Sequence, residues 1–74
     1  MERIQSETSV HIFDETYRIS SHLDADMTRQ VADFVDTKMR EIEARASHLS
    51  KSRIAVLAAM EMAADLLQIR GLPW

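Results

Sequence analysis

Residues 51–70 read KSRIAVLAAMEMAADLLQIR, and this stretch decides the fold. On a helical wheel, Ala55, Val56, Ala59, Met60, Met62, Ala63, Leu66, Leu67 and Ile69 fall on one continuous arc of roughly 180°, widened further by Ala58 and Ala64. Arg53, Glu61, Asp65 and Gln68 mark a narrow polar stripe. A surface helix needs an apolar stripe only a little over about 100° wide, so the excess surface asks for another chain. Small residues at 55, 58, 59, 63 and 64 let backbones approach closely. The helix is therefore predicted to lie at the centre of a homodimer interface formed by Ala55, Val56, Ala59, Met60, Met62, Ala63, Leu66 and Leu67. Ser50 suits its N-cap, and Gly71 with Pro73 its end.

Upstream, Met27, Val31, Phe34, Val35, Met39, Ile42 and Ala46 recur at the same helical period, predicting a first helix of roughly twenty residues. Asp24 suits its N-cap and Asp26 the positive end of its macrodipole. Opposite charges four apart, Arg29/Asp33, Asp36/Arg40 and Glu41/Arg45, describe a solvated face. Before Asp24 the period falls to two. With Asp14-Glu15 as a turn, Ile12 lies opposite Tyr17 and Val10 opposite Ile19, so these four share one face. His11, Phe13, Thr16 and Arg18 take the other, which leaves Phe13 free to join the dimer interface. A tight turn wants positive φ, which Asp14 tolerates and Glu15 does not; a slightly longer turn is expected. Residues 1–8 read as a flexible leader, 9–70 as the folded head and 71–74 as a C-terminal tail.

The chain has 74 residues, 8.5 kDa, one glycine, one proline and no cysteine, enough for a single small domain. Such a domain buries only about 60% of its unfolded surface, and the absence of cysteine excludes disulfides and thiolate metal sites, leaving oligomerisation as the stabiliser. A net charge of −3 and a pI near 5.5 speak against a nonspecific nucleic-acid binder. The apolar run from Ile54 to Met60 is far too short for membrane insertion, and the N-terminus lacks a basic start leading into an apolar core. A cytoplasmic protein is expected.

No arrangement of residues points to catalysis. His11, His22 and His48 lie in different elements with no ligand spacing, so no metal site is predicted. Glu61 and Asp65, four apart, read as carboxylates solvating an outer face. The serines sit at caps or in the leader and no glycine-rich phosphate loop exists, so neither a catalytic residue nor a cofactor is expected. Arg18, Lys38, Arg45 and Arg53, together with Lys51, form a scattered positive rim.

In their order and spacing these elements resemble the ZapA family of Z-ring-associated cell-division proteins. Three stretches carry the likeness: Ile12 to Ile19, similar to the family's "I.G..Y.I" opening; Val31 to Ile42, similar to "VA..VD.KM.EI"; and Leu49 to Met60, similar to "L...R.AVL.A.". The resemblance implies an α+β fold in which a β-hairpin is followed by two antiparallel-packed α-helices, forming an obligate-type homodimer. It also implies a non-enzymatic adaptor that binds the tubulin-like GTPase FtsZ and promotes filament association at midcell. Arg18 matches a basic position of the second strand and is the first candidate for partner binding, with Lys38, Arg45 and Arg53 behind it. Asp14 stands where the family commonly has glycine, and Gly71 to Trp74 where many members continue into a coiled coil, so a dimeric head without the two-headed tetramer is expected. Two other readings fit parts of the pattern: a dimerisation module for another partner, and a small dimeric DNA-binding regulator of the ribbon-helix-helix kind. The second sits poorly with the acidic chain and its two strands.

Overall fold

The computed structural model describes residues 6–69. Strand β1 (Ser6–Ile12) pairs antiparallel with β2 (Glu15–Ser21), and helices α1 (Ala25–Arg45) and α2 (Lys51–Ile69) follow. This is the α+β order of hairpin and two helices expected from the sequence. The chain divides into two compact units within α1, between Lys38 and Met39. Residues 6–8, read above as leader, belong to β1, and Thr8 is buried. The tail at 71–74 lies outside the described residues.

The hairpin closes differently from the sequence expectation. Its two central turn residues are Phe13 and Asp14, with φ of 52° and 70°, and Ile12 pairs with Glu15. Positive φ at both centres matches the right-handed twist of the strands, but an aromatic residue there is strained because its Cβ crowds the backbone. Asp36 on α1 offsets that strain: its Oδ1 accepts the Phe13 N–H at 2.6 Å. Such a bond to a carboxylate is about twice as strong as a neutral one. The register moves by two residues, so Val10 faces Tyr17 and Thr8 faces Ile19. A shift of two keeps every side chain on its face; Val10, Ile12, Tyr17 and Ile19 still share one side, but Phe13 leaves the opposite face and becomes the half-buried turn residue.

α1 begins where its cap predicts. Asp24 Oδ1 accepts the Met27 N–H at 2.7 Å, satisfying a donor with no intrahelical partner, and Asp26 lies in the first turn. In the first unit the buried positions are Thr8, Val10, Thr28 and Ala32. Thr28 is tolerated there because its hydroxyl donates to the Asp24 carbonyl at 2.9 Å. Burial thus falls on small side chains, while Met27, Val31 and Phe34, which share the apolar period, stay exposed; Phe34 is 61% exposed.

In the second unit Met39, Ile42, Ile54 and Ala58 are buried. α1 ends with the Ala46 N–H bonded to the Ile42 carbonyl at 2.9 Å, and α2 starts with the Arg53 N–H bonded to Ser50 Oγ at 3.2 Å. Arg45 donates to Glu61 Oε2 at 2.7 Å, joining the last turn of α1 to the middle of α2. The wheel of α2 is thereby resolved: Ile54 and Ala58 turn inward, and Val56, Met60 and Leu66 are more than half exposed.

Candidate functional site

The basic residues proposed from sequence for partner binding are distributed over both units, and they differ in what surrounds them. On the outer face of the hairpin, the two-residue register shift sets Glu7 diagonal to Arg18, and their side chains form an ion pair. Beside it, Thr16 Oγ1 and His11 Nδ1 share a hydrogen bond at 2.9 Å across the strands. That face is a set of mutually satisfied polar groups. Lys38 is half-buried and engaged within the protein. Arg45 is held by Glu61, and Arg29 lies 3.9 Å from Asp26. Among the described residues no three His, Asp or Glu side chains are placed to share a metal ion.

Two concave surfaces accompany these charges. In the first unit a trough of about 170 Å³ is lined almost wholly by apolar groups, with Ile19, Leu23, Val31 and Val35 among them. Tyr17 and Ile19, on the inward face of β2, are each 37% exposed beside it, because burial favours β1. The second unit has a larger hollow of about 380 Å³ lined by Leu49, Ser52, Arg53, Val56 and Leu57.

Of the residues expected in a dimer interface, Ala55, Val56, Ala59, Met60, Ala63 and Leu66 are exposed in the single chain, and Met62 and Leu67 are half-buried. Phe13 is not on the outer strand face from which its interface role was argued; its backbone is engaged by Asp36. The exposed apolar residues on α1 and β2 were missed by periodicity, which marks a stripe without saying which part of it the hairpin covers. Among the described residues no helix is long and apolar enough to cross a membrane.

These features match a known group of proteins along nearly the whole chain. The sequence model of the family described as "Cell division protein ZapA" matches residues 8–71. The cell division protein ZapA of Bacillus pumilus is 33% identical over 66 residues, covering 89% of this chain and 78% of that protein. Its counterpart in Bacillus anthracis shows the same identity over 89% of this chain and 74% of its own. A solved structure titled "ZapA mutant dimer from Geobacillus stearothermophilus" superposes with a TM-score of 0.77 at 31% identity, covering 95% of this chain and 81% of that one. These matches span the hairpin and both helices, and the chain belongs to the ZapA family of cell division proteins.

Proposed function

We propose that this protein is a non-enzymatic, homodimeric adaptor that binds FtsZ filaments in the cytoplasm and promotes their association at the division site. The observation that carries the reading is family membership over residues 8–71, which includes both helices and the hairpin from Thr8 onward. The dimeric state of the Geobacillus stearothermophilus neighbour supports self-association. So does the surface of the single chain, where Phe34, Val56, Met60 and Leu66 are all more than half exposed. A lone small domain seldom leaves such residues in water over a continuous helical face. A twofold dimer presents each partner-binding surface twice, and two weak contacts on neighbouring filaments reinforce each other through avidity.

Two measurements test the proposal. Sedimentation equilibrium should give a dimer, and Ala59→Glu, which places a charge at the centre of the exposed α2 face, should give monomer or unfolded chain. An unchanged dimer would remove α2 from the interface. Co-sedimentation with GTP-assembled FtsZ should bring the protein into the pellet; a protein that stays in the supernatant at all filament concentrations is not an adaptor of this type.

A further inference from the structure

The two strands of the hairpin are covered unequally. Thr8 and Val10 of β1 are buried, whereas every residue of β2 from Glu15 to Ser20 is exposed. Among the described residues the sheet consists of these strands alone, so one side of the β2 backbone has no neighbouring strand. The ladder decides which groups point that way. In a two-residue hairpin the residues flanking the turn, here Ile12 and Glu15, exchange hydrogen bonds, and such pairs alternate along an antiparallel ladder. Glu15, Tyr17, Ile19 and Ser21 thus bond toward β1, and Thr16, Arg18 and Ser20 turn their N–H and C=O groups outward. The side chains of Tyr17 and Ile19 lie on the inward face, where the apolar surface runs on to α1. Ile19 and Val31 line one trough yet are 37% and 47% exposed, so the trough opens between β2 and α1. A strand edge without proline or bulge, beside an uncovered apolar surface, is a template for another strand.

We propose that β2 of a second copy of this chain occupies the edge, antiparallel and about a twofold axis at Arg18, joining two hairpins into one continuous sheet. This contact is separate from the α2 face and independent of filament binding. Self-complementarity selects the occupant. Outward groups must meet outward groups, and the register centred at Arg18 does this along the whole strand, with Thr16 opposite Ser20 of the copy. It also sets Tyr17 against Ile19 of the copy, and Ile19 against its Tyr17. These are non-hydrogen-bonded pairs, whose side chains come closest, and they join an aromatic to a β-branched residue over the mouth of the trough. The twofold registers on either side set Ile19 against Glu15 or Tyr17 against Ser21, and lose that match. Two arginines facing each other oppose the pairing, but each Arg18 brings its own counter-charge, the Glu7 carboxylate ion-paired to it on the same hairpin. The outer edge of β1 offers no comparable gain, because the inward side chains Thr8 and Val10 are already buried. Kinship with a protein solved as a dimer makes a second copy the partner at hand.

The chain has no cysteine, so an introduced one reports on a single position. Full-length Tyr17→Cys and Ile19→Cys are mixed under reducing conditions and then mildly oxidised. In the proposed sheet, position 17 of one copy and 19 of the other have Cα atoms about 4.5 Å apart, within disulfide reach. Like positions lie on a diagonal at about 7–8 Å, beyond it. The mixture should therefore give covalent dimer at about five times the yield of either variant alone, or more. Ser20→Pro, built into both variants, removes an outward N–H and leaves the bonds to β1 whole. It should abolish the cross-link while circular dichroism and the melting curve stay those of the parent variants. Glu7→Gln leaves two arginines face to face and should weaken self-association about two- to fivefold at low salt, and less at high salt. Equal yields from the mixture and the single variants overturn the pairing, as does a cross-link that persists with Ser20→Pro. Absence of a cross-link in the mixture overturns it too, whether the protein is then monomeric or held together through α2 alone.

Discussion

The two helices begin in opposite electrostatic senses. α1 is capped by a carboxylate and has Asp26 in its first turn and Arg45 in its last, charges that agree with its dipole. α2 is capped by the neutral Ser50 at a longer 3.2 Å, and its first turn holds Lys51 and Arg53 with no acid. Their exposed faces are less different: α1 carries most of the charge but also exposes Met27, Val31 and Phe34, and α2 exposes Val56, Leu57, Met60 and Leu66. The ends of α1 suit its dipole, and the start of α2 does not.

The strongest way to break this contrast is to attack what α2 keeps for itself. Ile54, only 2% exposed, holds the second unit together. Ile54→Ala should destabilise the protein by about 2–5 kcal/mol, the usual range for such a core deletion, read as a large fall in Tm. Val56→Ala, two residues away, should leave the melting of an isolated monomer nearly unchanged. A smaller difference separates the caps. Asp24→Ala should cost about 0.5–2 kcal/mol, and Ser50→Ala less than Asp24→Ala, because a charged acceptor is lost in the first case and a neutral one in the second; chemical denaturation measures both. The smallest effect has the opposite sign. Arg53→Glu should raise stability by about 0.3–1 kcal/mol through a better match to the dipole, read by chemical denaturation.

Element order and both helix starts were legible in the sequence because their determinants are local. Asp24 and Ser50 act within one turn of themselves, and the apolar period of each helix is internal to it. The hairpin was legible in its faces and not in its register. Alternation fixes which side Val10 and Tyr17 take, but Phe13 adopts positive φ with the help of a carboxylate 23 residues away, which no local pattern announces. The surroundings of Arg18 were hidden at the same step. With the turn at Asp14-Glu15, Arg18 faces His11 and looks available; with the turn at Phe13-Asp14 its diagonal neighbour is Glu7. Ranking the basic residues needed the pairing of strands and helices, which makes partners of residues far apart in sequence.

The bond from Phe13 to Asp36 also bears on the order in which the chain folds. A two-stranded ribbon is marginal in water, and this one has a turn sequence that opposes its own closure. The acceptor that steadies the turn stands at the start of the fourth turn of α1, so it is in place only where the helix has formed and met the hairpin. Helices form in about a microsecond or less, and hairpins more slowly. Asp36→Ala should therefore loosen the hairpin tip while leaving α1 formed, read as faster amide exchange at Phe13.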